Sequence, residues 1–155
     1  MKSLRRLIWP LLALLLLAGC DSTPKTGPEK VRWDRVLCVR CLMAVSDHSF
    51  SAQVRGGPVG RKPKVYFYDD IGCAVLWLDK QDWWEGGSWI DDEKTEVWVT
   101  DWNDQSWIDA RQAFYVKGHI TPMDSQLGAQ KQKVSGALNF EEAVQHIRTR
   151  EQAAH

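Results

Sequence analysis

The chain has 155 residues, with 20 basic and 20 acidic side chains, and 44% of its residues are hydrophobic. This length suffices for one domain with a modest core. The even charge excludes the strongly basic surface that nucleic-acid binding requires.

The N-terminus has the pattern of a bacterial lipoprotein leader. A basic start is followed by an apolar run over 7–18, and Leu17-Ala18-Gly19-Cys20 closes it. The apolar run is too short to span a bilayer comfortably, as in a secretory signal peptide. We therefore predict a signal peptide at 1–19, cleavage before Cys20 and acylation of Cys20. An ordinary signal peptide with an unmodified cysteine is the alternative.

Residues 20–33 are predicted to be the lipidated cysteine and a flexible linker, and residues 34–155 the domain. The linker is rich in Pro, Lys, Ser and Thr, a composition typical of a tether. Asp21, directly after Cys20, resembles the inner-membrane retention signal of proteobacterial lipoproteins. We therefore expect a periplasm-facing lipoprotein of the inner membrane, held there by its lipid anchor.

Two thiols and a thioether lie within six residues, at Cys38, Cys41 and Met43. Thiolate and thioether ligands select Cu(I) over hard cations, and thioether is not among the usual ligands of zinc. Leu42 stands where a c-type haem attachment site would need His. The motif predicts a copper site, while a redox pair, a structural disulfide and half of a zinc site stay open as alternatives.

Residue alternation and turn signals predict strands, with two helices between and after them. The predicted strands lie at 50–55, 64–68, 95–100, 113–116 and 137–140, the first two as an antiparallel hairpin. Segment 81–93 is predicted to be an irregular loop, 107–109 lies in a connection, and 125–134 has no assignment.

One helix is predicted from about Ile71 to Lys80, capped by Asp69 or Asp70. Cys73 on this helix is expected to be a small buried apolar residue. A closing helix is predicted from Phe140 to about 148, with a capping box formed by the residues at 139 and 142.

Several motifs, in the same order, resemble the NosL family of copper-binding lipoproteins. They are Cys38–Met43 followed by Asp47, Tyr68–Cys73, Val99–Asp101 leading to Trp107–Ala110, Ala113–Gly118 and Thr121–Met123. The resemblance extends from about Arg35 to the C-terminus.

The resemblance implies a protein without enzymatic activity that carries Cu(I) and supplies copper to a metalloenzyme, such as nitrous-oxide reductase. Its partners would be the recipient copper enzyme or that enzyme's assembly factors. It also implies a small α+β domain of two ββαβ-type halves, mostly antiparallel and similar to part of the organomercurial lyase fold.

The family's metal ligands correspond to Cys38 or Cys41, to Met43 and to Met123. We therefore predict that Cu(I) is held by Cys38, by Cys41 or by both, together with Met43 and Met123. His119 and His48 are candidates for an additional ligand, and no catalytic residue is predicted.

The chain departs from the family pattern at two glycines and in one spacing. Leu42 replaces the glycine of the usual Cys-Gly-Met, and Asp124 replaces the glycine after the second methionine. Because glycine adopts backbone conformations that other residues avoid, a different local turn is expected. The short spacing between Met123 and Phe140 predicts that a helix of the second half is reduced or lost.

Two other functions remain open at this stage. A thiol-disulfide oxidoreductase would use Cys38 and Cys41 as its redox pair. An adaptor lipoprotein without a metal would hold the same residues as an inert disulfide, since the compartment is oxidising. The sequence has no catalytic serine triad, Walker loop or dinucleotide-binding glycine pattern, so a hydrolase or transferase is not predicted.

Overall fold

The computed structural model describes residues 26–83 and 88–154. The predicted signal peptide and Cys20 lie outside the described residues. The elements in chain order are β1 Ala52–Gly56, β2 Lys64–Tyr68, α1 Ile71–Leu78, β3 Glu96–Thr100, β4 Trp107–Asp109, β5 Phe114–Lys117, β6 Leu127–Gln130 and α2 Phe140–Ala153. Over these residues the fold is α+β with antiparallel strands and two helices, as predicted. Within 26–83 and 88–154, no helix is long and apolar enough to cross a bilayer.

The main sheet has the strand order β2-β1-β3-β4, and every pairing in it is antiparallel. Val54 lies opposite Val97, and both are buried together with Val99. Helix α1 packs on β1, β2 and α2. The first half therefore has the ββαβ order that was expected.

The second half consists of the antiparallel pair β5–β6 followed by α2. Strand β6 contacts the loop that follows β3 of the main sheet. In this contact the backbone N–H of Trp102 donates to the carbonyl of Ala129 at 2.9 Å. Between Met123 and Asn139, the structure has β6 and turns but no helix.

The structure differs from the predicted elements at short strands and at one helix end. Strand β4 replaces a predicted connection, and β6 lies in the unassigned segment. The strand expected at 137–140 is reduced to a bridge between Leu138 and Tyr115. Helix α2 has the predicted capping box and continues past 148 to Ala153.

A segment before the thiol motif lies along the main sheet. The N–H of Gly27 donates to Glu96 at 2.7 Å, and the side chain of Gln53 exchanges hydrogen bonds with the backbone of Glu29. Arg55 on β1 donates to the carbonyl of Gly27 at 2.9 Å, and Val31 is buried. Part of the predicted linker is thus in contact with the sheet, and the domain boundary at 34 stays a prediction.

Candidate metal centre

Three thiols and one carboxylate meet at one point of the molecule. The side-chain donor atoms of Cys38, Cys41, Asp69 and Cys73 all lie within 4.8 Å of one another. We call these four residues the thiol cluster. Cys38 and Cys41 come from a turn before β1, Asp69 follows β2, and Cys73 lies in the first turn of α1.

The turn that carries Cys38 and Cys41 is held by backbone hydrogen bonds at both ends. The N–H of Cys38 donates to the carbonyl of Met43 at 2.8 Å, and the N–H of Leu42 donates to the carbonyl of Cys38 at 2.9 Å. The N–H of Val39 donates to Phe67 on β2 at 3.1 Å. These bonds fix the two thiols against the end of β2, where Asp69 follows.

Asp70 positions Cys73 and connects it to the loop that contains Met123. It is the N-cap of α1, and its Oδ1 accepts from the N–H of Cys73 at 3.1 Å. Its Oδ2 accepts from the hydroxyl of Thr121 at 2.8 Å and from the N–H groups of Met123 and Ser125, each at 3.3 Å. The start of α1 and the Pro-Met loop are therefore tied to the same buried carboxylate.

The three thiols of the cluster differ in acidity. The pKa of Cys38 is lowered to about 6, chiefly because the thiol of Cys73 donates a hydrogen bond to it. The backbone N–H groups of Cys41 and Asp69 also favour the Cys38 thiolate, while burial opposes it. Burial raises the pKa of Cys41 to about 12, and donation to Cys38 raises the pKa of Cys73. The hydrogen bond from Cys73 therefore favours ionisation of Cys38 ahead of the other two thiols.

Asp69 has an unpartnered oxygen at the cluster. Its Oδ2 lies 3.1 Å from the sulfur of Cys41, which donates to it, whereas its Oδ1 is buried without a hydrogen-bond partner. The hydroxyl of the neighbouring Tyr68 is likewise buried without a partner. Buried polar atoms of this kind cost free energy and call for an explanation. A bound cation that accepts an oxygen ligand would provide one for Asp69.

A positive charge lies beside the cluster. One guanidinium nitrogen of Arg40 is 3.9 Å from the sulfur of Cys73, and another is 2.7 Å from a carboxylate oxygen of Glu151 on α2. Arg40 therefore offsets part of the negative charge that ionised thiols would bring.

The structure brings some of the predicted ligands together and separates others. Cys38 and Cys41 belong to the thiol cluster. Met43 follows them with its side chain 51% exposed, and Met123 is partly buried at a cavity that Cys73 also lines. His119 lies outside the cluster, with its ring against Phe50 and Trp102 and so close to Gly128 that a Cβ there would lie 2.6 Å from its Nε2. The roles of Met43, Met123 and His119 as ligands remain predictions.

Sequence reasoning missed Cys73 and Asp69 as members of the site. Cys73 was expected to be a buried apolar residue and Asp69 a helix cap. Both residues lie where a predicted strand is followed by a predicted helix, and Cys73 is a further thiol in a chain that already has a Cys-x-x-Cys motif. These two features could have indicated their place in the site.

The donor set fits a soft metal ion. Sulfur ligands select Cu(I) and zinc over hard cations, and the cysteines at 38, 41 and 73 are free thiols in this structure. Three sulfurs suffice for a trigonal Cu(I) site, and the addition of the Asp69 carboxylate gives the four ligands of a tetrahedral zinc site.

No family model matches the sequence, and no curated protein matches it. Among solved structures, the crystal structure of the copper chaperone NosL from Shewanella denitrificans is similar to this chain. The two are 18% identical and superpose with a TM-score of 0.48, over 82% of this chain and 89% of that chain.

Proposed function

We propose that this protein binds Cu(I) at the thiol cluster and carries it as cargo. The observation that supports this most directly is the convergence of three thiol sulfurs within 4.8 Å. Thiolates bind Cu(I) strongly. A site with only two or three ligands leaves space for a ligand of an acceptor to bind before the donor's own ligand leaves.

Thioethers complete the proposed site. The exposed side chain of Met43 follows the thiol turn, and Met123 lies at the cavity that Cys73 lines. A thioether carries no proton at any working pH, so it retains affinity for Cu(I) when thiols are protonated.

The proposed role in the cell is a copper chaperone tethered to the periplasmic side of the inner membrane through Cys20. The motif resemblance to the NosL family and the lipoprotein leader support it. The recipient would be a copper enzyme, such as nitrous-oxide reductase, or one of its assembly factors. Cys41 is only partly buried and Met43 is half-exposed, so an acceptor could approach this side of the site.

A competition titration tests the binding step. The reduced full chain in detergent is titrated with Cu(I) against a chelator of known affinity, and one tightly bound ion per chain is expected. Cys38→Ala and Cys73→Ala should each weaken binding at least about tenfold, equivalent to about 1.4 kcal/mol. Met43→Leu and Met123→Leu should weaken it less, and Cys20→Ser serves as a control that leaves the affinity unchanged. No binding by fully reduced protein, or full affinity in the double variant of Cys38 and Cys73, would refute the proposal.

Zinc is the second candidate cargo, because Asp69 places a carboxylate with an unpartnered oxygen among the three sulfurs. Carboxylate is a common zinc ligand but a poor one for Cu(I). Asp69→Asn should therefore weaken Zn(II) binding strongly and Cu(I) binding little. The ion that the wild-type chain retains when both metals compete decides between the two candidates.

The geometry disfavours thiol-disulfide exchange. Reactive cysteines combine a lowered pKa with partial exposure and often lie at a helix N-terminus. Here Cys38 has the lowered pKa but is fully buried, while the more exposed Cys41 has a raised pKa. Both lie in a turn rather than on a helix. We expect no disulfide reductase activity with the reduced chain.

A further inference from the structure

A cavity of about 200 Å³ has Cys73 of the thiol cluster on one side and residues of α2 on the other. It lies between α1, the loop around Met123 and the last turns of α2. Cys73 and Met123 both line it, together with the apolar side chains of Leu76 and Ile147. The cavity therefore places a predicted thioether ligand and a thiol of the cluster along the same opening.

Two ion pairs border this cavity. Arg40 pairs with Glu151 at 2.7 Å, and Arg150 pairs with Asp124. All four residues line the cavity. Arg40 also lies 3.9 Å from the sulfur of Cys73, so its side chain stands directly beside the thiol that the cavity reaches.

The Arg40–Glu151 ion pair can open at low cost. Its two side chains are 23% and 33% exposed, and ion pairs in contact with water contribute little to stability. Glu151 lies near the end of α2, whose last buried residue is Ile147. Beyond Ile147, ion pairs and the hydrogen bonds of Arg150 attach this helix end to the rest of the molecule, and helix ends open more readily than packed cores.

We propose that the Arg40–Glu151 ion pair is a lid over this cavity, and that a soft monovalent metal ion enters and leaves the thiol cluster through it, past Met123. The inference rests on the proposed function and adds a route and a gate to it. The competing route is the exposed side of the thiol turn, at Cys41 and Met43.

Transfer kinetics of Cu(I) test the lid with Glu151→Gln and a matched control. In Glu151→Gln the ion pair is lost, so the rates of Cu(I) uptake and of Cu(I) release to a chelator should both rise several-fold. The dissociation constant should stay unchanged, because the loss of a lid changes the rates of uptake and release by the same factor. The loss of a metal ligand would change the affinity instead. Glu151→Ala also removes the ion pair without adding a charge that would repel the entering cation, and it should accelerate both rates as much as Glu151→Gln does.

The control is Arg148→Gln. Arg148 pairs with Asp79, the residue after α1, at 2.6 Å and so joins the end of α1 to α2, but neither residue lines the cavity. Its loss should leave both rates at the wild-type value, and thermal unfolding should confirm that all variants are folded. Wild-type rates in both Glu151 variants, or an equal acceleration in Arg148→Gln, would overturn the lid.

A second readout needs no metal. In the reduced, metal-free chain, the rate of alkylation by iodoacetamide is measured for each cysteine by peptide mass spectrometry. Modification of Cys73 is slow because its pKa is raised, but Glu151→Gln should accelerate it several-fold relative to the wild type and leave that of Cys41 unchanged. If the wild-type chain binds no Cu(I), the proposed function fails whatever the alkylation rates are. If it binds Cu(I) and neither readout responds to Glu151, the lid alone fails.

Discussion

Cys38 and Cys73 form a hydrogen-bonded pair, in which the thiol of Cys73 donates and favours the thiolate of Cys38. Because Cys73 is the largest cause of the lowered Cys38 pKa, its removal should reverse the shift. In Cys73→Ala the largest cause of the lowered pKa is lost, while the backbone N–H groups of Cys41 and Asp69 still favour the thiolate, so the Cys38 pKa should rise from about 6 toward its ordinary value of 9. At pH 7, the wild type should therefore contain a thiolate that the variant lacks.

Ultraviolet absorbance of the thiolate measures this titration in the reduced, metal-free chain. The tyrosines at 66, 68 and 115 do not interfere near neutral pH, since burial raises the pKa of each. Cys38→Ala is the control and should abolish the step near pH 6. A step that persists near pH 6 in Cys73→Ala would show that the Cys73 hydrogen bond is not the cause.

Leu42 and Asp124 both have left-handed backbone conformations, with φ of 64° and 58°. They are the two positions at which the family pattern has glycine. The sequence predicts a different local turn there, and this stays a prediction. In the structure both residues occupy conformations that glycine favours. Aspartate tolerates this region better than leucine does, so the strain is greater at Leu42.

Leu42→Gly should stabilise the protein. A leucine in the left-handed region costs roughly 1–2 kcal/mol, whereas glycine loses about 0.5–1 kcal/mol more on folding through its freer unfolded chain. Leu42 is 71% exposed and loses little burial. The net gain in the free energy of unfolding should be about 0.5–1 kcal/mol, measured by urea denaturation. Leu42→Ala keeps a Cβ and should bring no gain, so equal stabilisation by both variants would contradict the argument.

The candidate site was predictable from the sequence only where its residues are neighbours in the chain. Cys38, Cys41 and Met43 form a local motif whose chemistry can be recognised without a fold. Cys73 and Asp69 belong to the site because the N–H of Val39 pairs with β2 and α1 begins where β2 ends. No local pattern contains that information.

At the scale of elements, Asp70 connects α1 to the Met123 loop and is fully buried. Asp70→Ala removes an acceptor that serves the N–H of Cys73, the hydroxyl of Thr121 and two further N–H groups. Hydrogen bonds to charged groups contribute about 1.5–3 kcal/mol each, and the donors would be left unsatisfied. We expect a loss of about 3 kcal/mol or more in the free energy of unfolding.

Asp70→Asn is the matched control, because it retains the shape of the side chain and one acceptor oxygen. Its loss of stability should lie between those of the wild type and Asp70→Ala. If Asp70→Ala unfolds within about 1 kcal/mol of the wild type, Asp70 does not hold the helix and the loop together.

Elements with strong local signals were predicted, and elements defined by distant partners were missed. Strands β2, β3 and β5 carry β-branched and aromatic residues, β1 lies in a segment of alternating apolar and polar residues, and α2 has a capping box. By contrast, β6 has the sequence LGAQ, which lacks β-branched and aromatic residues, and it is a strand because it pairs with β5. The last turn of α2 follows Ile147 without further buried residues, so its length depends on ion pairs with other elements.

At the scale of the whole molecule, the thiol cluster joins segments from the turn before β1, from the end of β2 and from α1. An ion bound there would cross-link parts of the chain that are distant in sequence. A ligand that binds the folded state stabilises it, by about 2.7 kcal/mol when the free ligand is at 100 times its dissociation constant. Because the cysteines of the unfolded chain also bind soft metal ions, the gain in stability depends on how much more tightly the preformed cluster binds the ion than the unfolded chain does.

We therefore expect Ag(I), a redox-inert analogue of Cu(I), to raise the midpoint of thermal unfolding of the reduced chain by several degrees. Hydrogen exchange should slow in the turn around Cys38 and Cys41 and in the first turn of α1, because these segments would share the ion. Cys38→Ala and Cys73→Ala should lose most of both effects, since two remaining sulfurs bind the folded and unfolded chains more equally. A midpoint that rises equally in the wild type and in both variants would mean that Ag(I) binds elsewhere, and that the convergence of the three thiols contributes nothing to metal binding.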